Sequence, residues 1–167
     1  ISNRHEKVFN SRDEEGKVEY VNYLSEIPLH EGSFTLMART NGYVTEMANW
    51  LRSAGLKYSR NGKSSLSEEM VGNLITWDRL CKDKPVGLQE IKNLYSGVRK
   101  QGVDAVVTRG SIKLLDALPS DAQLDMGTLI KDYGLLRDSS YGAYEVLNVP
   151  ASEQEYIDAI FRRGEDL

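Results

Sequence analysis

The chain has 167 residues, a net charge of −4 and 40% hydrophobic residues, values of an ordinary globular protein with room for one domain or two small ones. Its single cysteine, Cys81, excludes an internal disulfide and fits a reducing compartment. No apolar run approaches the ~20 residues that span a bilayer, and the opening ISNRHEKVFN lacks the apolar core of a signal peptide, so a cytoplasmic protein without membrane contact is expected.

Residues 1–13 are polar, with one short strand expected around Lys7 to Phe9. Glu15 to Ile27 reads as a helix with Val18, Val21 and Leu24 inward and glutamates near its start. Pro28 to Gly32 is a loop. Ser33 to Gly62 then reads as a compact parallel βαβ unit. Phe34 to Ala38 is an apolar run of strand length bounded by Gly32 and Gly42. Thr40 and Asn41 offer caps for a helix whose Val44, Met47, Ala48 and Leu51 form one apolar stripe. Gly55 suits a left-handed helix end, Leu56 to Ser59 a returning parallel strand, and Asn61-Gly62 a turn.

After Gly62 helical periodicity takes over. A helix is expected from a Ser65/Glu68 capping box to about Lys82, with Met70, Leu74, Trp77 and Cys81 on one stripe. Pro85 marks a break. The next helix runs from about Leu88 to Gln101 with Ile91, Leu94, Tyr95 and Val98 at core spacing. Val103 to Thr108 reads as a strand or extended connector, and Ser111 to Leu118 as a short helix ended by Pro119. A Ser120/Gln123 box opens a helix to about Leu136, weakened or split by Gly127 and Gly134. Tyr141 to Leu147 is a short helix, and a Ser152/Glu155 box opens the last one, which carries Tyr156, Ile157, Ile160 and Phe161 to about Arg163. The fold class is α/β: a small parallel unit over residues 1–63, followed by a mainly helical subdomain of roughly five helices over 64–167.

Charge is unevenly spread. Residues 39–63 hold Arg39, Arg52, Lys57, Arg60 and Lys63 against Glu46 alone, a net +4, whereas 1–38 carry −3 and 64–167 carry −5. A basic island on an acidic chain is a candidate phosphate-facing patch, although scattered surface cations give the same count. In an open parallel sheet ligands gather at the carboxyl ends of the strands, where Arg39, Thr40 and Asn41 would bring a guanidinium, a hydroxyl and an amide beside a helix N-terminus. The competing structural role is a plain helix cap with a solvated arginine.

Other motifs are weaker. Asn61-Gly62-Lys63-Ser64 has the closing residues of a phosphate-binding loop, but the glycine needed five residues before Gly62 is Lys57, so the wrapped loop cannot form. His5 and His30 lack partners at metal-ligand spacing. Cys81 and Trp77 lie on apolar stripes and read as core; Trp50 lies off its helix's main stripe and stays open between packing and base stacking. Glu68-Glu69 and Asp13-Glu14 sit at helix starts and complement the helix dipole. No nucleophile, base and orienting group assemble.

The order of the opening motifs resembles the second motor domain of UvrD/Rep-type superfamily 1 DNA helicases, with phage-type members the nearest variety. The resemblance rests on the Arg-Asp-Glu-Glu-Gly run at Arg12 to Gly16, Ala-Arg-Thr-Asn at Ala38 to Asn41, and Ala-Gly-Leu-Lys-Tyr at Ala54 to Tyr58. It covers about residues 12–75; from Ser65 on the chain matches the family's helical insertion in position and class, and Tyr156-Ile157 to Gly164 is similar to the segment before the next family motif. The resemblance implies a RecA-like partial unit from a parent enzyme that couples ATP and Mg2+ to stepping along single-stranded DNA. It implies DNA contacts at Arg39, Thr40 and Asn41, with Arg60 and Lys63 as electrostatic candidates from the basic island. The phosphate loop and metal-binding acid would lie in the remaining motor domain, so this stretch alone is expected to bind no cofactor and to hydrolyse no ATP. The helical part would be an accessory subdomain near the duplex junction. The alternative is a stand-alone protein-binding or regulatory module without catalysis. A small-molecule enzyme is least supported, since only Glu46 lies near Arg39 as a titratable partner.

Overall fold

The computed structural model describes residues 19–29 and 31–164. The chain divides into two compact units, residues 1–35 and 36–167. In the described part of the first unit, one 3₁₀ turn, Leu24–Glu26, is the regular element. The helix expected over Glu15 to Ile27 is therefore not formed over residues 19–27; its first residues, and the strand expected at Lys7 to Phe9, lie outside the described residues. Tyr20 and Tyr23 are exposed, and a short helix with no packed face is marginal in water.

The second unit is mixed α/β and mainly helical. It contains α1 (Asn41–Ser53), β1 (Ser59–Arg60), β2 (Lys63–Ser64), α2 (Glu68–Cys81), β3 (Val86–Gly87), α3 (Leu88–Gly97), α4 (Ser111–Leu115), β4 (Gln123–Leu124), α5 (Met126–Asp132), α6 (Ala143–Val146) and α7 (Ala151–Arg162). Both sheets are two-stranded and antiparallel, β1 with β2 and β3 with β4.

Two strand expectations are corrected here. Residues 34–38 form no strand, and Met37 is 83% exposed, because no second strand lies beside them among the described residues to complete a ladder. Leu56 to Ser59 does not return in parallel. Asn61 (φ 53°) and Gly62 (φ 75°) both adopt left-handed backbone, the signature of a two-residue hairpin turn, and they fold the chain straight back so that Ser59 pairs with Ser64 and Arg60 with Lys63.

α1 matches its expected stripe, and its end is a Schellman motif. The Leu56 N–H donates to the Leu51 carbonyl and the Gly55 N–H to the Arg52 carbonyl. Gly55 has φ +67°, and a Cβ there would stand 2.4 Å from the Ala159 carbonyl oxygen, so glycine is what lets α1 approach the backbone of α7.

The core forms two clusters. The larger is built on α2 and α3, with Trp77, Leu80, Ile91, Leu94, Tyr95 and Leu129 almost wholly buried. The Trp77 indole N–H donates to the Tyr141 carbonyl at 3.1 Å. Each such side chain contributes roughly 1.5–3 kcal/mol by leaving water. The smaller cluster joins Leu66 and Leu74 to Tyr156, Ile157 and Ile160 of α7. Phe161, expected on that apolar side, is half-exposed.

The helix starts after Gly62 differ from the expected capping boxes. Ser67, not Ser65, caps α2, its Oγ accepting from the Met70 N–H at 3.4 Å. Ser65 is held elsewhere, by Tyr58 and Tyr156. Residues 123–124 pair with β3, so α5 starts at Met126 behind an Asp125 cap whose carboxylate accepts from the Thr128 N–H at 2.9 Å. α7 starts behind Pro150 with no side-chain cap from Ser152. α3, α4 and α6 are shorter than expected. Val107, in the expected extended connector, makes one antiparallel bridge to Leu135. Gly134 ends the fifth helix with φ +69°, closely packed on the Thr108 and Ser111 hydroxyls.

Candidate nucleic-acid interface

All five candidate contacts lie in the second unit, around the first turn of α1 and the hairpin. Thr40 is the N-cap, its Oγ1 accepting from the Tyr43 N–H at 3.5 Å, so the expected capping role is real and occupies one lone pair of that hydroxyl. Asn41 opens the helix, and its carbonyl accepts from the Thr45 hydroxyl at 2.9 Å. Arg39 precedes the cap, is exposed, and makes no side-chain hydrogen bond or ion pair among the described residues.

The hairpin brings a second group to this place. The Arg60 guanidinium donates to Thr45 Oγ1 at 3.4 Å, and that same hydroxyl donates to Asn41. Lys63 is the cross-strand neighbour of Arg60 and is exposed. The structure thus joins Asn41, Thr45 and Arg60 in one hydrogen-bonded chain, with Lys63 beside it. Thr45 was not singled out in the sequence; the signal was its placement one turn after Asn41, on the helix flank away from the apolar stripe.

Arg52 belongs to the basic island by sequence but faces inward. Its guanidinium pairs with Glu153 at 2.8 Å and donates to the Ser65 and Ser152 carbonyls at 3.5 Å. It also lies 4.4 Å from the centroid of the Tyr156 ring. Tyr156 in turn donates to the Leu56 carbonyl at 2.8 Å and shares a 2.7 Å hydrogen bond with the Ser65 hydroxyl. These bonds fix the hairpin's base to α7, and the hairpin holds Arg60 against α1.

Groups with chemical potential elsewhere are subdued. Burial, then Asp78, Asp138 and Asp83, push the Cys81 thiol up, which disfavours the thiolate a nucleophile needs. Among the described residues no three His, Cys, Asp or Glu side chains gather at a metal site. No helix of the described residues is long and apolar enough to cross a membrane. Trp50 is half-buried. Comparison with protein-family models, with curated proteins and with solved structures finds no match.

Proposed function

We propose that the chain is part of an ATP-driven DNA helicase of the UvrD/Rep type, contributing contacts to the single-stranded track and an accessory helical subdomain. The reading is supported by the motif order of Arg12 to Gly16, Ala38 to Asn41 and Ala54 to Tyr58. The observation that carries it is the bond from Arg60 to Thr45, which sets a basic hairpin beside the helix start that bears Arg39, Thr40 and Asn41. Arg39 and Arg60 would take backbone phosphates, the first turn of α1 adds the favourable end of its dipole, and Asn41 reaches a phosphate or base edge. Residues 34–38 would gain their strand partners from the rest of the RecA-like sheet of the same motor domain, and the remaining motor domain would hold ATP and Mg2+. Stepping then follows from opening and closing of the two motor domains around nucleotide. The helical part would lie near the duplex junction.

The test is binding of the chain to fluorescent single-stranded DNA across a salt series, with Arg39→Ala in parallel. Binding is expected to weaken with salt by a slope of about −0.7 per phosphate contact and to lose about one contact in the variant. Binding unchanged by Arg39→Ala rejects the site. No binding at low salt, either by the chain or by a longer polypeptide that includes both motor domains, rejects the helicase reading in favour of a protein-binding module.

A further inference from the structure

Tyr43 stands in the first turn of α1, two residues after Asn41 and outside the stripe of Val44, Met47, Ala48 and Leu51. It is 60% exposed, the most open aromatic among the described residues of the second unit. Its backbone N–H is held by Thr40 Oγ1 at 3.5 Å, while its ring and hydroxyl have no hydrogen-bond or cation–π partner among the described residues. A lone exposed aromatic is ordinary on a protein surface, but the setting of this one is not. Arg39 lies just before the cap, and the Arg60–Lys63 hairpin is tied to the same turn through Thr45. Side chains of a helix lean toward its N-terminus, so the Tyr43 ring covers the turn that begins at Thr40 and Asn41 rather than the one after it. Gly42, between Asn41 and Tyr43, adds no side chain there, and a Cβ would meet Thr40 Oγ1 alone, at 3.8 Å. The approach to the ring from the helix start is therefore open.

We propose that Tyr43 is a stacking platform for an unpaired base, which rests on the single-strand contact proposed above and adds a grip on the bases to the grip on the phosphates. Sites for single-stranded nucleic acid combine cations that track the backbone with aromatic rings on which bases lie. Arg39 and the hairpin supply the first and Tyr43 the second. Tyr43 and Thr45 point about 200° apart around the helix, so the ring and the Arg60 guanidinium bonded to Thr45 flank the start of α1 on opposite sides. A helix is about 10 Å wide, roughly the rise of three stacked nucleotides, so one strand crossing the helix start reaches both. A stack needs a free base face. Inside a duplex each base is covered on both faces by its neighbours and must be unstacked to be reached, so Tyr43 selects unpaired strand. It does so with little regard to base identity, since every base has a π-face.

The test compares Tyr43→Ala, Tyr43→Phe and the parent chain on three labelled probes of equal length: an oligo-dA strand, a strand whose sugars carry no bases, and a blunt duplex. Tyr43→Ala should weaken oligo-dA binding about tenfold, the loss of one base–aromatic stack, and leave the baseless strand and the duplex within about twofold. Tyr43→Phe keeps the ring and should bind oligo-dA like the parent. The salt slope should not change in either variant, because no phosphate contact is removed. Equal loss on the strands with and without bases, loss in Tyr43→Phe, or oligo-dA affinity unchanged in Tyr43→Ala overturns the stacking role. In the last case, affinity that still falls in Arg39→Ala leaves the helicase reading standing. Absence of binding to any probe, by the chain and by a longer polypeptide with both motor domains, overturns both.

Discussion

The Arg52 guanidinium lies 4.4 Å from the centroid of the Tyr156 ring, so a cation counted in the basic island is instead a clamp between α1 and α7. The same group pairs with Glu153, and both side chains are about three-quarters buried. Arg52→Ala would leave Glu153 without its cation and strip the ring of its cover. A loss of about 1–3 kcal/mol is expected, reduced from the fully buried case by the remaining solvent access. Urea denaturation checks it, and DNA affinity measured well below the transition should stay within about twofold of the parent chain.

Gly55→Ala should be more damaging. The new methyl would meet the Ala159 carbonyl at 2.4 Å, and φ +67° is strained for alanine. Neither the helix backbone nor the Schellman turn can yield cheaply, so destabilisation above about 2 kcal/mol is expected. Thermal unfolding of the purified variant, or its failure to accumulate folded, reads this out.

Gly62→Ala isolates backbone strain from packing. Nothing lies within 4 Å of a Cβ there, but φ is +75°. The hairpin should loosen by about 1 kcal/mol. Because Arg60 and Lys63 flank the turn, single-strand DNA affinity should fall with it, while the α2–α3 core keeps its thermal stability. Affinity and thermal stability falling together would contradict that separation.

Alkaline pH should unfold the chain through its tyrosines. Burial and the hydrogen bond to Asp158 push the Tyr144 phenol up to about 12, and burial also raises Tyr95 and Tyr156. A phenol with a raised folded-state value contributes stability that is complete below its unfolded value of ~10 and is lost as pH rises toward the folded one. Denaturation midpoints should therefore drop between about pH 10 and about pH 12, and Tyr144→Phe should flatten part of that slope.

The central helices were legible from residue spacing because each has one continuous apolar face. Ile91, Leu94, Tyr95 and Val98 are all buried as their period requires. The helix starts were less legible, because serines at 65 and 67 both precede α2 within capping reach, and the Tyr58 N–H across the hairpin and the distant Tyr156 hydroxyl assign Ser65 another task. The strands were misread for a related reason. Two-residue strands carry no periodic signal, and Gln123–Leu124 becomes one only because Val86–Gly87 lies opposite. At the candidate interface, the Thr40 cap and the Asn61-Gly62 turn could be read locally, whereas the Arg60 to Thr45 bond depends on the hairpin folding back toward α1.

The Tyr156 hydroxyl reaches the Leu56 carbonyl across 100 residues of chain. Closing a loop of that length costs about 4 kcal/mol of chain entropy by the logarithmic scaling, and no local contact offsets it. α1 and the hairpin therefore emerge early from the ribosome but are secured late. α2 and α3, neighbours in sequence, can pair first, and the segment bearing Arg39 to Lys63 waits for α7 before its side chains hold one arrangement.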